Sequence, residues 1–198
     1  FKMTNRFKNL KKLLMAFVAT ICLPLIASSQ GLVINEIDAI VGEGEQFVEL
    51  YGTPGESLEG YTLALVNSNF LGGGGYEPIV YHTIDLNMES LDEFGFAQFQ
   101  VELNPTIAAV VLYEIEVFQV PTNEDPPTEA IVDALVYGNT STNNPQASVL
   151  LDALMPEGSG MIYEGLEGAP QGHSLSRIPD GGEVFDVNSY QLQAPTQG

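Results

Sequence analysis

Residues 30 to 51, QGLVINEIDAIVGEGEQFVELY, bring together the side chains of this chain best suited to hold a cation. Asp38, Glu43 and Glu45 flank or occupy a Gly-Glu loop, and Glu49 follows four positions later. Calcium takes six to eight oxygens and prefers flexible loops rich in carboxylates and carbonyls. Asp38, Glu43 and Glu45 are therefore candidate calcium ligands. Their spacing does not follow the EF-hand pattern of D-x-[DN]-x-[DN]-G closed by a Glu at position 12. The competing reading makes these acids only the wet side of a strand pair.

Nucleophilic chemistry finds fewer candidates. His82 and His173 are the only histidines. His173 precedes Ser174, but neighbouring positions on a strand point to opposite faces, which argues against a dyad. There is no G-x-S-x-G elbow, and the two histidines lack zincin spacing. Nucleophile, base and oxyanion donor cannot all be assigned, so the chain reads as a non-enzyme with no cofactor beyond calcium. An unrecognised hydrolase is the minor alternative. Cys22, the single cysteine, lies in the N-terminal apolar segment, so the rest of the chain has no disulfide and no thiolate metal site.

Charge narrows the partners. The formal net charge is −20 over 198 residues. Arg6, Lys8, Lys11 and Lys12 form a basic start, followed by the apolar run Leu13 to Ala27 and the small residues Ala27-Ser28-Ser29. This is the layout of a secretory signal peptide, and the run is shorter than the roughly 20 residues that cross a bilayer. Residues 1–29 are expected to leave on export, with 30–198 as one mature domain and no membrane span. Of the six cations only Arg177 then remains, against all 26 acids, a formal charge of −25. Such a surface repels nucleic acid and anionic lipid and attracts cations, basic proteins or a calcium-rich mineral surface. Arg177, alone among so many acids, is expected to form a bidentate carboxylate pair. Asn139-Thr140-Ser141 is an N-x-S sequon, a glycosylation site at Asn139 if the source is eukaryotic.

The elements that must position these groups are short. Val, Ile, Tyr and Phe dominate runs at Leu32–Ile37, Gln46–Tyr51, Tyr61–Asn67, Ile79–Leu86, Phe94–Val101, Ala108–Val117, Ala130–Tyr137, Met161–Tyr163 and His173–Ile178. Val80, His82, Ile84 and Leu86 alternate as one strand face. Ser148–Met155 predicts one short helix. Leu71–Tyr76, LGGGGY, reads as a connector needing positive φ. Strands at intervals of about ten residues with turn signals between them predict an antiparallel sandwich or barrel.

Several of these segments together resemble the lamin tail domain. LVINEI at 32–37, FVEL at 47–50, LEGYTL at 58–63, IVDALVYG at 131–138, SLSRIPD at 174–180 and APTQ at 194–197 follow that family's order. The likeness spans nearly the whole of 30–198 and is closest to secreted members, since no coiled-coil rod is present. It implies an immunoglobulin-like β-sandwich without an obligatory cystine, acting as a non-catalytic interaction module. It also implies a structural role for Asn35, Glu36 and Glu49. Chromatin contact is not carried over, because the basic surface it needs is missing. The expectation is a secreted, acidic β-sandwich with a structural or adhesive role in an extracellular matrix or at a cell surface, including a calcified shell or skeletal matrix. The alternative is an accessory binding module of a larger bacterial secreted enzyme.

Overall fold

Ile34, Leu50, Leu65, Val110, Leu112 and Leu135 have no exposed surface at all, and they come from strands far apart in sequence. Their clustering defines the architecture. The computed structural model describes residues 31–39, 46–138, 144–163 and 172–196. The expected signal segment 1–29, Glu43, Glu45 and the Asn139 sequon lie outside the described residues. In order, the elements are β1 (Val33–Asp38), β2 (Phe47–Tyr51), β3 (Thr62–Gly72), β4 (Gly75–Asp85), β5 (Phe96–Gln100), β6 (Ile107–Tyr113), β7 (Ile131–Gly138), α1 (Pro145–Leu154), β8 (Ile162–Tyr163), β9 (Ser174–Arg177) and β10 (Tyr190–Gln193). The first sheet runs β10-β9-β1-β2-β5 and the second β4-β3-β6-β7-β8. All pairings are antiparallel except β7 with β8. The expected all-β sandwich is therefore present in its coarse form.

Two apolar layers hold it. Ile34, Ile37, Val48 and Leu50 of the first sheet meet Leu63, Leu65, Val110 and Leu135 of the second. Each such side chain contributes about 1.5–3 kcal/mol on full burial. The opposite face of the second sheet presents Ala64, Val66, Ala109, Val111 and Val136, and α1 covers it with Ala147, Leu150 and Leu154. That is why β6 is buried along its whole length: it is covered on both faces.

A β-bulge in β1 decides where its polar residues go. Ile34 pairs with Leu50 but Glu36 with Glu49, so Asn35 is the extra residue. Ile34 and Ile37, three apart, consequently both enter the core, and Asn35 and Glu36 both turn from it. A second irregularity sits at Tyr81, where Leu65 pairs with His82 but Val66 with Val80. It corrects the expected single face of Val80, His82, Ile84 and Leu86. Val80 belongs to the layer under α1, whereas Ile84 and Leu86 pack on the core between the sheets.

Other boundaries also moved. β3 and β4 form one hairpin of 11-residue strands, longer than the expected pair. Its turn is Gly73-Gly74, with φ of 65° and 93°. Both signs are positive, as a two-residue turn matching strand twist requires. The expected extension of β6 to Val117 is absent. The chain leaves the sheet after Tyr113 and makes a 3-10 turn at Val117–Gln119. The helix begins three residues earlier than expected, because Asn144 Oδ1 accepts from Gln146 N at 3.0 Å and Pro145 suits the first turn.

Gly95 closes the turn before β5. Its φ is 95°, and an added Cβ would lie 2.5 Å from the Gly52 carbonyl oxygen. Gly95→Ala should therefore destabilise by ~2 kcal/mol, from backbone strain and overpacking together. Urea denaturation checks this. An unchanged midpoint would mean that the turn yields freely.

Candidate functional site

Arg177 is the only Lys or Arg among the described residues, and it is 1% exposed. Alternation along β9 sends Leu175 and Arg177 toward the second sheet and Ser174 and Ser176 away from it. There the guanidinium meets Asp133 of β7, Nη2 lying 3.0 Å from Oδ2. The pair links the two sheets. The expected bidentate contact does not form. Nε donates instead to the Ile34 carbonyl at 2.8 Å, and Nη1 to the Glu183 carbonyl at 2.6 Å. The guanidinium also lies over the Tyr190 ring, 4.8 Å from its centroid. The fork is divided among one carboxylate and two carbonyls because β1 and the 183–189 segment bring backbone acceptors to the same spot.

Asp133 is the residue that sequence reading missed. One Oδ2 accepts from Ile34 N at 2.9 Å, across the sandwich, and Oδ1 from Phe185 N at 2.6 Å and Ala134 N at 3.0 Å. Its signal was a lone acid inside the apolar run IVDALVYG. Burial pushes its carboxyl above the ordinary range, while Arg177 and these three N–H groups pull the other way. The ionised pair is held at a desolvation cost that its contacts offset only while all of them stand.

Asn35, Glu36 and Glu49 gather on the far side of the first sheet. Asn35 Nδ2 donates to Glu49 Oε1 at 3.0 Å and to Asp180 Oδ1 at 3.2 Å, and Asn35 Oδ1 accepts from Gly181 N at 2.9 Å. Glu36 accepts from the hydroxyls of Ser174 and Thr196 and from Thr196 N at 3.1 Å. Two acids and an amide buried on a sheet face would be unfavourable alone. Here they tie β1 and β2 to the 180–181 turn and the last described residues, so the buried polar atoms are bonded. Asp38 closes β1 and is 5% exposed. Among the described residues no group of three or more His, Cys, Asp or Glu is placed to hold a metal ion. His82, on the second sheet, and His173, just before β9 of the first, lie on different sheets.

The internal position of Arg177 leaves the exterior of the described residues with one sign. Among the described residues every exposed Asp, Glu, Lys or Arg is an acid, from Glu59 and Asp85 through Glu124 and Asp125 to Asp152 and Glu183. A surface of this kind raises the local concentration of counter-cations over its whole extent, not at one point. No helix among the described residues is long and apolar enough to cross a membrane.

Burial also pushes the phenols of Tyr113 and Tyr190 up from their ordinary value. Unfolded tyrosines ionise near pH 10. A raised folded value means that their contribution is complete below about pH 10 and is lost as pH climbs past it. Stability should therefore fall in alkali with phenolate absorbance appearing only on unfolding. Phenolate signal before loss of structure would contradict the burial.

Compared with protein-family models, curated proteins and solved structures, the chain finds no match.

Proposed function

We propose that this chain is a secreted, non-enzymatic module of immunoglobulin-like, lamin-tail type, with a structural or adhesive role in an extracellular matrix or at a cell surface. The observation that carries the reading is the interior position of Arg177: the only cation of the described residues is spent inside, and the exterior is left to carboxylates. The buried use of Asn35, Glu36 and Glu49 supports it further, since the polar residues of β1 and β2 hold the sandwich together and present no reactive group. The lamin-tail likeness of 32–37, 47–50, 131–138 and 174–180 supplies the family reading.

An anionic exterior associates with divalent cations through many weak contacts, and these add when the opposing surface is itself extended, as in a calcified matrix. Asp38 with Glu43 and Glu45 remains the candidate for a more localised calcium site. The test is calcium titration of the purified chain by calorimetry, with thermal melting alongside. Heat of binding and a rising Tm at millimolar calcium are expected. Neither heat nor a Tm change overturns the cation association, and recovery of the chain from the cytosol by mass spectrometry overturns the secreted reading.

A further inference from the structure

Two concavities of about 680 and 550 Å³ share His82 and Gln100. One is also lined by Tyr81, Glu102 and Asn104, the other by Ile84, Glu89 and Phe99. Together they make a continuous cleft between β4 and β5, the terminal strands of the two sheets on this side of the sandwich. We propose that this cleft docks an extended, lysine- or arginine-bearing peptide strand of a partner protein. The proposal deepens the adhesive reading and rests on it for the partner's location outside the cell.

Both walls are free sheet edges. Among the described residues β5 pairs only with β2 and β4 only with β3. The 123–124 loop covers the β4 edge at a single residue, with Val80 N donating to the Glu124 carbonyl and Val80 O accepting from Asn123 N. At 81–85 no other described backbone group bonds to this edge of β4, which the 3-10 turn Val117–Gln119 approaches, and a terminal strand presents a row of backbone groups ready to pair with another chain. Phe96 is already capped, its N donating to Asp92 Oδ1 and its O accepting from Asp92 N, so Ala97–Gln100 provide about 13 Å of such edge.

The floor is built. The irregularity at Tyr81 sends its side chain across to the segment after β5, where its hydroxyl donates to the Glu102 carbonyl at 3.3 Å and accepts from Asn104 N at 3.2 Å. Tyr81, Ile84 and Phe99 all pack against the core between the sheets, so the apolar floor rests on fixed side chains.

Charge selects the occupant. Glu102 lines one concavity and Glu89 the other, and no exposed Lys or Arg among the described residues competes for them. An added strand alternates its side chains, so apolar residues would face Ile84 and Phe99 while cationic ones reach the acidic rim.

The probe is a capped (Lys-Val)3 peptide titrated into the full chain, followed by calorimetry and by backbone amide shifts. Shifts concentrated at residues 81–85 and 96–100 are expected. N-methylation of every residue keeps the charge but removes the main-chain donors on both edges, and should weaken binding by roughly tenfold. Glu89→Gln with Glu102→Gln should weaken it by about fivefold, whereas Asp152→Asn with Glu157→Gln, which removes the same charge elsewhere, should not. Equal loss in both double variants, equal binding of the N-methylated peptide, equal binding of (Glu-Val)3, or shifts scattered over the exterior would each overturn the cleft. Calcium binding that persists while the peptide fails would remove this site and leave the adhesive reading standing.

Discussion

Arg177→Met is expected to lower stability by about 3–5 kcal/mol at neutral pH, because it leaves the Asp133 carboxyl buried inside the sandwich without its partner. The side chain is replaced by one of similar length, so lost volume is a minor part of the effect. The Ile34 and Glu183 carbonyls lose their donors as well. The deficit carries a pH signature. Burial already raises the Asp133 carboxyl, and removing the guanidinium, which pulls the other way, raises it further. A raised folded value favours the protonated form, so the variant's deficit relative to the parent should shrink as pH falls through that value. Matched urea titrations at several pH values measure it. A deficit below about 0.5 kcal/mol, the usual surface range, would show that the pair is dispensable. Removing both partners in Arg177→Met with Asp133→Leu should cost less than the sum of the two single changes, since the double variant retains no isolated charge. The recovery is incomplete, because Ile34 N and Phe185 N still lose their acceptor.

Glu36→Ala is expected to destabilise by about 3 kcal/mol and to release the end of the described chain. Glu36 is wholly buried, and it is the acceptor for the Ser174 hydroxyl and for both the amide and hydroxyl of Thr196. Hydrogen bonds to a charged group contribute about 1.5–3 kcal/mol each, and the donors left behind are those of a covered face. The loss is smaller than a simple sum, because the Thr196 donors can turn to water once the segment lifts. Hydrogen exchange separates this from general weakening. Protection at Thr196 and along β10 should fall by far more than protection in β6, which is buried on both faces. Uniform loss of protection would mean that Glu36 supports the whole sandwich and not the closure of one edge.

Both results concern residues that the sequence singled out, yet with partners it did not name. Arg177 stood out by being the sole cation after residue 12. Its partner was one of 26 acids, and nothing local distinguished Asp133 except an apolar neighbourhood. Pairing of β9 with β1, and the stacking of β1 over β7, brought positions 44 residues apart into contact. Glu36 was legible as an acid inside the apolar run LVINEI, whereas Ser174 and Thr196 were found only after the chain closed.

Strand identity was written locally, since β-branched and aromatic runs broken by Gly, Pro and Asn have few other ways to bury themselves. The all-β class, most strand centres, the helix within 145–154 and the excess of negative charge follow from residue types alone. The irregularities at Asn35 and Tyr81 do not. One extra residue at Asn35 or Tyr81 is invisible to an alternation count, because it is fixed by what the neighbouring strand offers, and each reverses the faces that follow. Tertiary structure alone therefore placed Val80 under α1, turned Asn35 and Glu36 onto one buried face, and set β4 and β5 side by side with an acid at either end of the cleft. Sequence determined the sign of the surface. Only folding decided that the one Lys or Arg of the described residues would be withdrawn into the interior, since burial of Arg177 depends on acceptors supplied by β1, β7 and the 183–189 segment at once.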